Sequence, residues 1–461
     1  MRSIGKYCPQ LRIDFIQILI PEVSMIRKRR LIVNTALLTG SSLLMSCIGM
    51  AFQVWLVGRI GEAGIGLYQL VLSVSFLCAT VAISGIRFAA TRLISEELGR
   101  ENPGGVRGAM LRCVAYALFF GLASGLVLWL LAEPVGFLCI GDARTVRSLR
   151  ISALGMPCIS LCAAFSGYFT ACGRVWKPTF IHFAEQLAGI ALVAYFLRAV
   201  PGGEIEQSCA AVTFGRLLAD VLSTALMLIF YLADRRSYYD AETNNSHLTG
   251  RMLKIALPLA ASAYARSALN TMQHLLVPRG LRAAGFSADR ALAGYGIIQG
   301  MVLPILGFPA CLMSAMAELI VPELTEAQVQ RDNAGIARAI RSLLKMSLLF
   351  SGGAALFMFV FSDKLGLVIY SSAEAGRYIR ILAPLIPVMY TDMTVDGCLK
   401  GLGQQVWSMG INIAEALLGL LLVWRLLPVY ALAAYIGVIY FSEIFNFSLS
   451  CLRLKRVFPA A

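Results

Sequence analysis

The chain has 461 residues, 58% of them hydrophobic and 14% charged, with a mean hydropathy of +0.73. Soluble domains carry about 25% charged residues, so a cytosolic enzyme and a disordered chain are both excluded. The net charge of +14 and the pI near 9.4 would suit nucleic acid in a soluble protein. In a chain this apolar the same surplus is what membrane proteins collect in cytoplasmic loops, and no nucleic-acid partner is expected.

Residues 1–24 hold a short apolar patch interrupted by Asp14 and ended by Pro21, too short to span a bilayer. Met25 then opens the basic run MIRKRR, so 1–24 is read as an N-terminal extension ahead of a natural start at Met25. A helix crosses the ~30 Å hydrocarbon core in about 20 residues. Runs of that length follow at 31–57, 67–91, 113–131, 151–171, 179–197 and 209–232. A polar stretch, DRRSYYDAETNNSHLTGR, comes next, and six more runs follow it at 252–277, 295–320, 343–361, 381–399, 408–424 and 430–452. The expected architecture is an all-α polytopic membrane protein of about twelve transmembrane helices. One six-helix bundle covers 25–232, a cytoplasmic linker 233–251, and a second bundle 252–461. Most of the 12 Cys sit singly in apolar runs and there are three His, so neither a disulfide framework nor a metal site is expected.

With the N-terminus inside, the cytoplasmic loops hold 25 Lys and Arg against 12 outside, and Arg87, Arg216 and Arg266 fall within spans. The positive-inside rule therefore places both termini in the cytoplasm of a multi-pass plasma-membrane protein. The halves also match each other. A shift of 230 lays 167–193 on 397–423 with nine identities in 27 positions, among them Gly173 with Gly403 and Glu185 with Glu415. LISEEL at 93–98 matches LIVPEL at 319–324. Six spans per half is an even number, so the repeats run parallel, related by an axis along the membrane normal, as in secondary transporters.

GRIGEAGIGLYQL at 58–70, LLVPRGLRAAGFSADRALAGYGIIQGMVLPILGFP at 275–309, KGLGQQ at 400–405 and SEIFNFSLSCLRL at 442–454 resemble the stage V sporulation protein B family. That family belongs to the polysaccharide-export branch of the MOP flippase superfamily, alongside MurJ-type lipid II flippases and MATE exporters. The resemblance implies a V-shaped pair of bundles whose central cavity opens alternately to either side and carries lipid-linked saccharide precursors. MurJ-type proteins have fourteen spans and arginines in the first; here twelve runs are found and 31–57 is uncharged. The same stretch lacks the acidic first-span residue that cation-coupled MATE exporters use.

An ionisable residue at a span centre costs ~2.5–3.5 kcal/mol, so each needs a reason. Arg266, Asn270 and Gln273 lie on one helical face with His274 at its edge, a polar stripe suited to a pyrophosphate, which a fixed guanidinium can bind bidentately. Pairing with an acid across the bundle is the competing reading. Arg87, near a span end, is a second substrate-binding candidate, or it snorkels to the interface. Asp392 and Asp396 share a face and are candidates for a Na⁺ or proton coupling site, unless Lys400 neutralises Asp396. Arg216 with Asp220 four residues on reads as a self-neutralising structural pair, and Glu185, Glu415 and Glu443 as packing or secondary sites. The expected function is a flippase or exporter of lipid-linked oligosaccharide or peptidoglycan precursors, of polyprenyl-pyrophosphate type, working by alternating access. No covalent chemistry and no cofactor beyond a coupling ion are expected, and the unit is a monomer among membrane lipids. The alternative is a MATE-like, cation-coupled exporter of organic cations.

Overall fold

The computed structural model describes residues 9–100, 102–200, 204–234, 248–329 and 332–458. Residues 1–8 of the expected extension and 235–247 of the expected linker lie outside these. The helical stretch Pro9–Ile83 bends at Gly61, whose φ of 72° no ordinary helix contains, and so comprises α1 (9–60) and α2 (62–83). The helix therefore starts ahead of Met25. α2 breaks at Ser84–Gly85 and continues as Ile86–Gly99. Then come α3 (Pro103–Ile140), α4 (Val146–Ala171), α5 (Trp176–Ala199), α6 (Ile205–Asp234) and α7 (Leu248–Ala283). α8 runs Ala288–Gly307 and resumes as Ala310–Val329 beyond Pro309, which has no N–H to carry the ladder across. α9 is Asn333–Tyr370, and α10 spans 373–401. Gln405–Val457 bends at Ala431 into α11 (405–430) and α12 (432–457). The described residues thus form twelve rods alternating in direction, as the hydrophobic runs predict.

By length and apolarity alone, eight continuous stretches qualify to cross a bilayer. Two of these are the bent pairs, and α7 and α10 fall in none of the eight. Both carry polar side chains along one face, and that face lines a cavity.

The internal repeat is visible in the packing. A Cβ on Gly167 of α4 would meet Ala90 Cβ at 2.8 Å, and one on Gly397 of α10 would meet Ala317 Cβ at 2.8 Å, so α4 packs on α2 as α10 packs on α8. Gly173 and Gly403 both sit in the left-handed region, with φ of 70° and 72°. Each ends its helix with the same pair of bonds. Arg174 N–H donates to Phe169 O (2.9 Å) and Gly173 N–H to Thr170 O (3.1 Å); Gln404 N–H donates to Leu399 O (2.8 Å) and Gly403 N–H to Lys400 O (3.1 Å).

Where the apolar side chains cluster sets the shape. One large core runs through both halves, joining Leu56, Ile65 and Leu70 of α1–α2 to Leu292, Ile298 and Met301 of α8. It lies toward the face that carries the turns at 61, 141–142, 284–287 and 371–372. Toward the opposite face the core divides. One cluster holds Ile94, Met110 and Phe169 with the first turns of α7, and the other Leu324, Ile340 and Leu399. Between the two clusters the molecule is open. At that open face α7 is tied to the first half by Arg251, whose guanidinium bonds Glu96 and, at 2.9 Å, Glu97. Those two carboxylates, Glu96 foremost, raise the Arg251 pKa above its ordinary value.

Candidate substrate cavity

The opening between the halves is a cavity of about 840 Å³. The α2 wall supplies Gln69, Ser73 and Thr80, spaced by four and seven residues so that they share a helical face. α7 supplies Arg266, Ser267 and Asn270, α8 supplies Tyr295 and Gln299, and α10–α11 supply Asp396, Lys400, Ser408 and Asn412. Arg87 reaches in from just past the break in α2. That break is held by Ser84, whose hydroxyl lies 2.8 Å from Tyr116 Oη and accepts from Tyr264 Oη at 2.5 Å.

The charges are distributed unequally. Asp396 is engaged, with Lys400 Nζ at 2.6 Å and the Ser408 hydroxyl donating to its other oxygen. Arg87 and Arg266 are both exposed to the cavity, and neither makes a side-chain hydrogen bond or ion pair with the described residues. Among the described residues the cavity wall therefore holds three cations and one carboxylate, and that carboxylate already has a cation. Such a surface favours an anion and disfavours a cation.

The sequence-derived site residues separate into three groups. Arg266, Asn270 and Arg87 meet in the cavity, whereas Gln273 turns away and lies 3.3 Å from where a Cβ on Gly419 would stand. His274 is fixed through Nδ1 to Tyr295 Oη at 3.2 Å. Of the Asp392–Asp396 pair, Asp396 faces the cavity, while Asp392 sits a turn further in beside Ser450, with Oδ1 lacking any partner among the described residues. Glu415 and Glu443 stand near Asp392. In the first half, Glu185, Arg216 and Asp220 line a separate cavity of about 480 Å³ with Tyr68 and His182. Arg216 and Asp220, expected from their spacing to pair, line this cavity together but stand more than 4.0 Å apart. The Tyr68 hydroxyl lines the same cavity as Arg216, and Glu185 lies 3.3 Å from His182 Nδ1. Among the described residues no three His, Cys, Asp or Glu converge as metal ligands.

Sequence reasoning missed Ser408, Asn412, Gln299 and the α2 stripe. The first two and the stripe carried a signal, polar residues four apart inside apolar runs. Gln299 stood alone and carried none.

A family model described as MatE matches residues 38–195 and 281–425. The chain is 21% identical over 416 residues to stage V sporulation protein B of Bacillus subtilis (strain 168), covering 89% of this chain and 80% of that one. It is also 21% identical over 393 residues to sporulation protein YkvU of the same organism, covering 82% and 86%. Among solved structures, an inward-facing multidrug resistance MATE family transporter of the MOP superfamily superimposes with TM-score 0.66 at 15% identity, covering 90% of this chain and 95% of that one. The outward-facing conformation of such a transporter gives TM-score 0.57 at 15% identity, with coverages of 91% and 94%.

Proposed function

The chain belongs to the MatE family and is a polytopic membrane transporter, and on that premise we propose that its cargo is an anionic lipid-linked saccharide of polyprenyl-pyrophosphate type. One observation carries this reading: among the described residues, Arg87 and Arg266 face the cavity without an acidic partner, while the one lining carboxylate is held by Lys400. A guanidinium is charged at every accessible pH and presents paired donors matched to phosphate oxygens. An exporter of organic cations needs the opposite polarity at this place. The likeness to a sporulation protein points to envelope precursors as the saccharide.

Transport proceeds by alternating access without covalent chemistry, in a monomer of the plasma membrane. The open face is cytoplasmic, because the basic loops gather there. A Na⁺ ion or a proton couples the cycle through Asp392, whose unpartnered oxygen lies one turn from Asp396. Coupling requires that affinity for the ion differ between the two cavity states.

The test is direct binding to the purified full chain in nanodiscs. A short-chain fluorescent polyprenyl-pyrophosphate saccharide should bind, compete with inorganic pyrophosphate and weaken as salt rises. A fluorescent organic cation should not bind. Cation binding in the cavity, with no response to the anionic probe, would overturn the reading. Transport in liposomes with imposed Na⁺ or pH gradients tests the coupling. Gradient dependence unchanged in Asp392→Asn removes that residue from it.

A further inference from the structure

The face opposite the cavity mouth is sealed by contacts that cross from one half to the other in layers. Outermost is a chain of four alternating charges. Arg144, in the turn before α4, has Nη2 at 2.7 Å from Asp142 Oδ2 and at 2.8 Å from Asp289 Oδ1 at the start of α8. Arg282, at the end of α7, donates Nη1 to the Gly141 carbonyl at 2.7 Å and holds Nη2 4.0 Å from Asp142. Beneath these the Ser372 hydroxyl donates to Glu62 Oε1 at 2.7 Å. Deeper still, α2 and α8 touch backbone to backbone at Gly66 and Gly296. A Cβ on Gly66 would strike the Leu292 carbonyl, and one on Gly296 the Glu62 carbonyl and, at 2.8 Å, the Gly66 nitrogen. No side chain fits on either glycine while the seam is closed.

We propose that this is a two-part gate: a glycine seam at Gly66–Gly296 that only two bare backbones can close, and a four-charge latch above it that exchanges partners rather than losing them when the seam parts. The proposal rests on the alternating-access reading, but not on the identity of the cargo. The latch is built for exchange. Asp142 and Arg144 lie on one turn and already pair, so they remain paired when the halves separate. Arg282 and Asp289, opposite in charge, flank the facing turn at 284–287 and are to pair with each other once the halves separate. Opening therefore replaces pairs between halves by pairs within halves and strands no buried charge, the costly outcome for an ion network. The seam differs. Its contacts are van der Waals and steric, with no substitute once the helices part, so it holds the resting state closed. The continuous core of α1–α2 and α8 lies around it.

Hydrogen exchange on the full chain in nanodiscs reads the gate without cargo. Amides of 58–66 and 288–300 should be strongly protected in the wild type. In Gly296→Ala they should exchange at least tenfold faster, while the segments at the open face, 92–99 and 397–404, slow. Asp289→Lys, at a side chain 68% exposed and so harmless to folding, sets a like charge against Arg144 and should speed exchange of the same seam several-fold. The proposal is overturned if the seam exchanges within twofold of wild type in both variants. It is also overturned if Asp289→Lys leaves the seam protected while Gly296→Ala loosens the whole second half. A seam that responds in a protein that binds no anionic probe leaves the gate standing and removes the cargo reading.

Discussion

Replacing Arg266 by Ala removes one of two guanidiniums that the cavity holds without an acidic partner. A hydrogen bond to a charged group contributes about 1.5–3 kcal/mol, so affinity for a pyrophosphate-bearing ligand should fall by about 10- to 150-fold. Arg266→Lys keeps the charge and loses the planar fork, and a loss of about fivefold is expected. Arg87→Ala should resemble Arg266→Ala. If both side chains grip one anion, the double variant departs from the sum of the singles, which separates a shared ligand from two independent sites. Asp396→Asn supplies the sign check. It releases Lys400 and adds a positive charge to the wall, so an anion should bind about two- to fivefold tighter and an organic cation more weakly. Fluorescence titration of the folded variants in nanodiscs, repeated at two salt concentrations, gives each value. Changes below twofold in both Ala variants, or weaker anion binding in Asp396→Asn, refute the argument.

Four further outcomes are expected. Gly173→Ala and Gly403→Ala each force a Cβ into a left-handed helix cap and should lower the thermal midpoint by an amount corresponding to about 1 kcal/mol, equally in the two halves because the caps are equivalent. Ser84→Ala strips both tyrosine hydroxyls of their shared partner at the break in α2 and should cost about 2 kcal/mol in detergent-melting experiments. Glu97→Gln, at a side chain 4% exposed that accepts from Arg100, Arg251 and Asn102, should cost about 3 kcal/mol and loosen the first turn of α7, read as faster amide exchange over 248–256. Single cysteines placed in the linker and after Val457 should react with impermeant thiol reagents only from the cytoplasmic side; labelling of the linker from outside contradicts the proposed orientation.

Much of the architecture was legible in the chain itself, because a bilayer imposes a length and an apolarity on each crossing and a duplicated half leaves the same glycines twice. Twelve runs and the equivalence of Gly173 with Gly403 follow from those constraints. Part of the cavity was legible for a related reason. A guanidinium or a polar stripe inside a span is too costly to be there without purpose, and Arg266 with Asn270 does face the opening.

Spacing along a helix, however, states only that two side chains share a face, not what the neighbouring helix offers them. Arg216 and Asp220 are four apart yet stand beyond ion-pair distance, in a cavity they share with Glu185, His182 and Tyr68. Asp392 and Asp396 are also four apart, and Lys400 with Ser408 takes one while the other is left beside Ser450. Gln273 belongs to the same stripe as Arg266, but seven residues on it has rotated toward Gly419 of α11. Whether the halves met at one face or the other was likewise beyond the sequence. That depends on contacts between residues more than 200 positions apart, Gly66 against Gly296 and Gln53 against Gly300, and only the tertiary structure brings their backbones together.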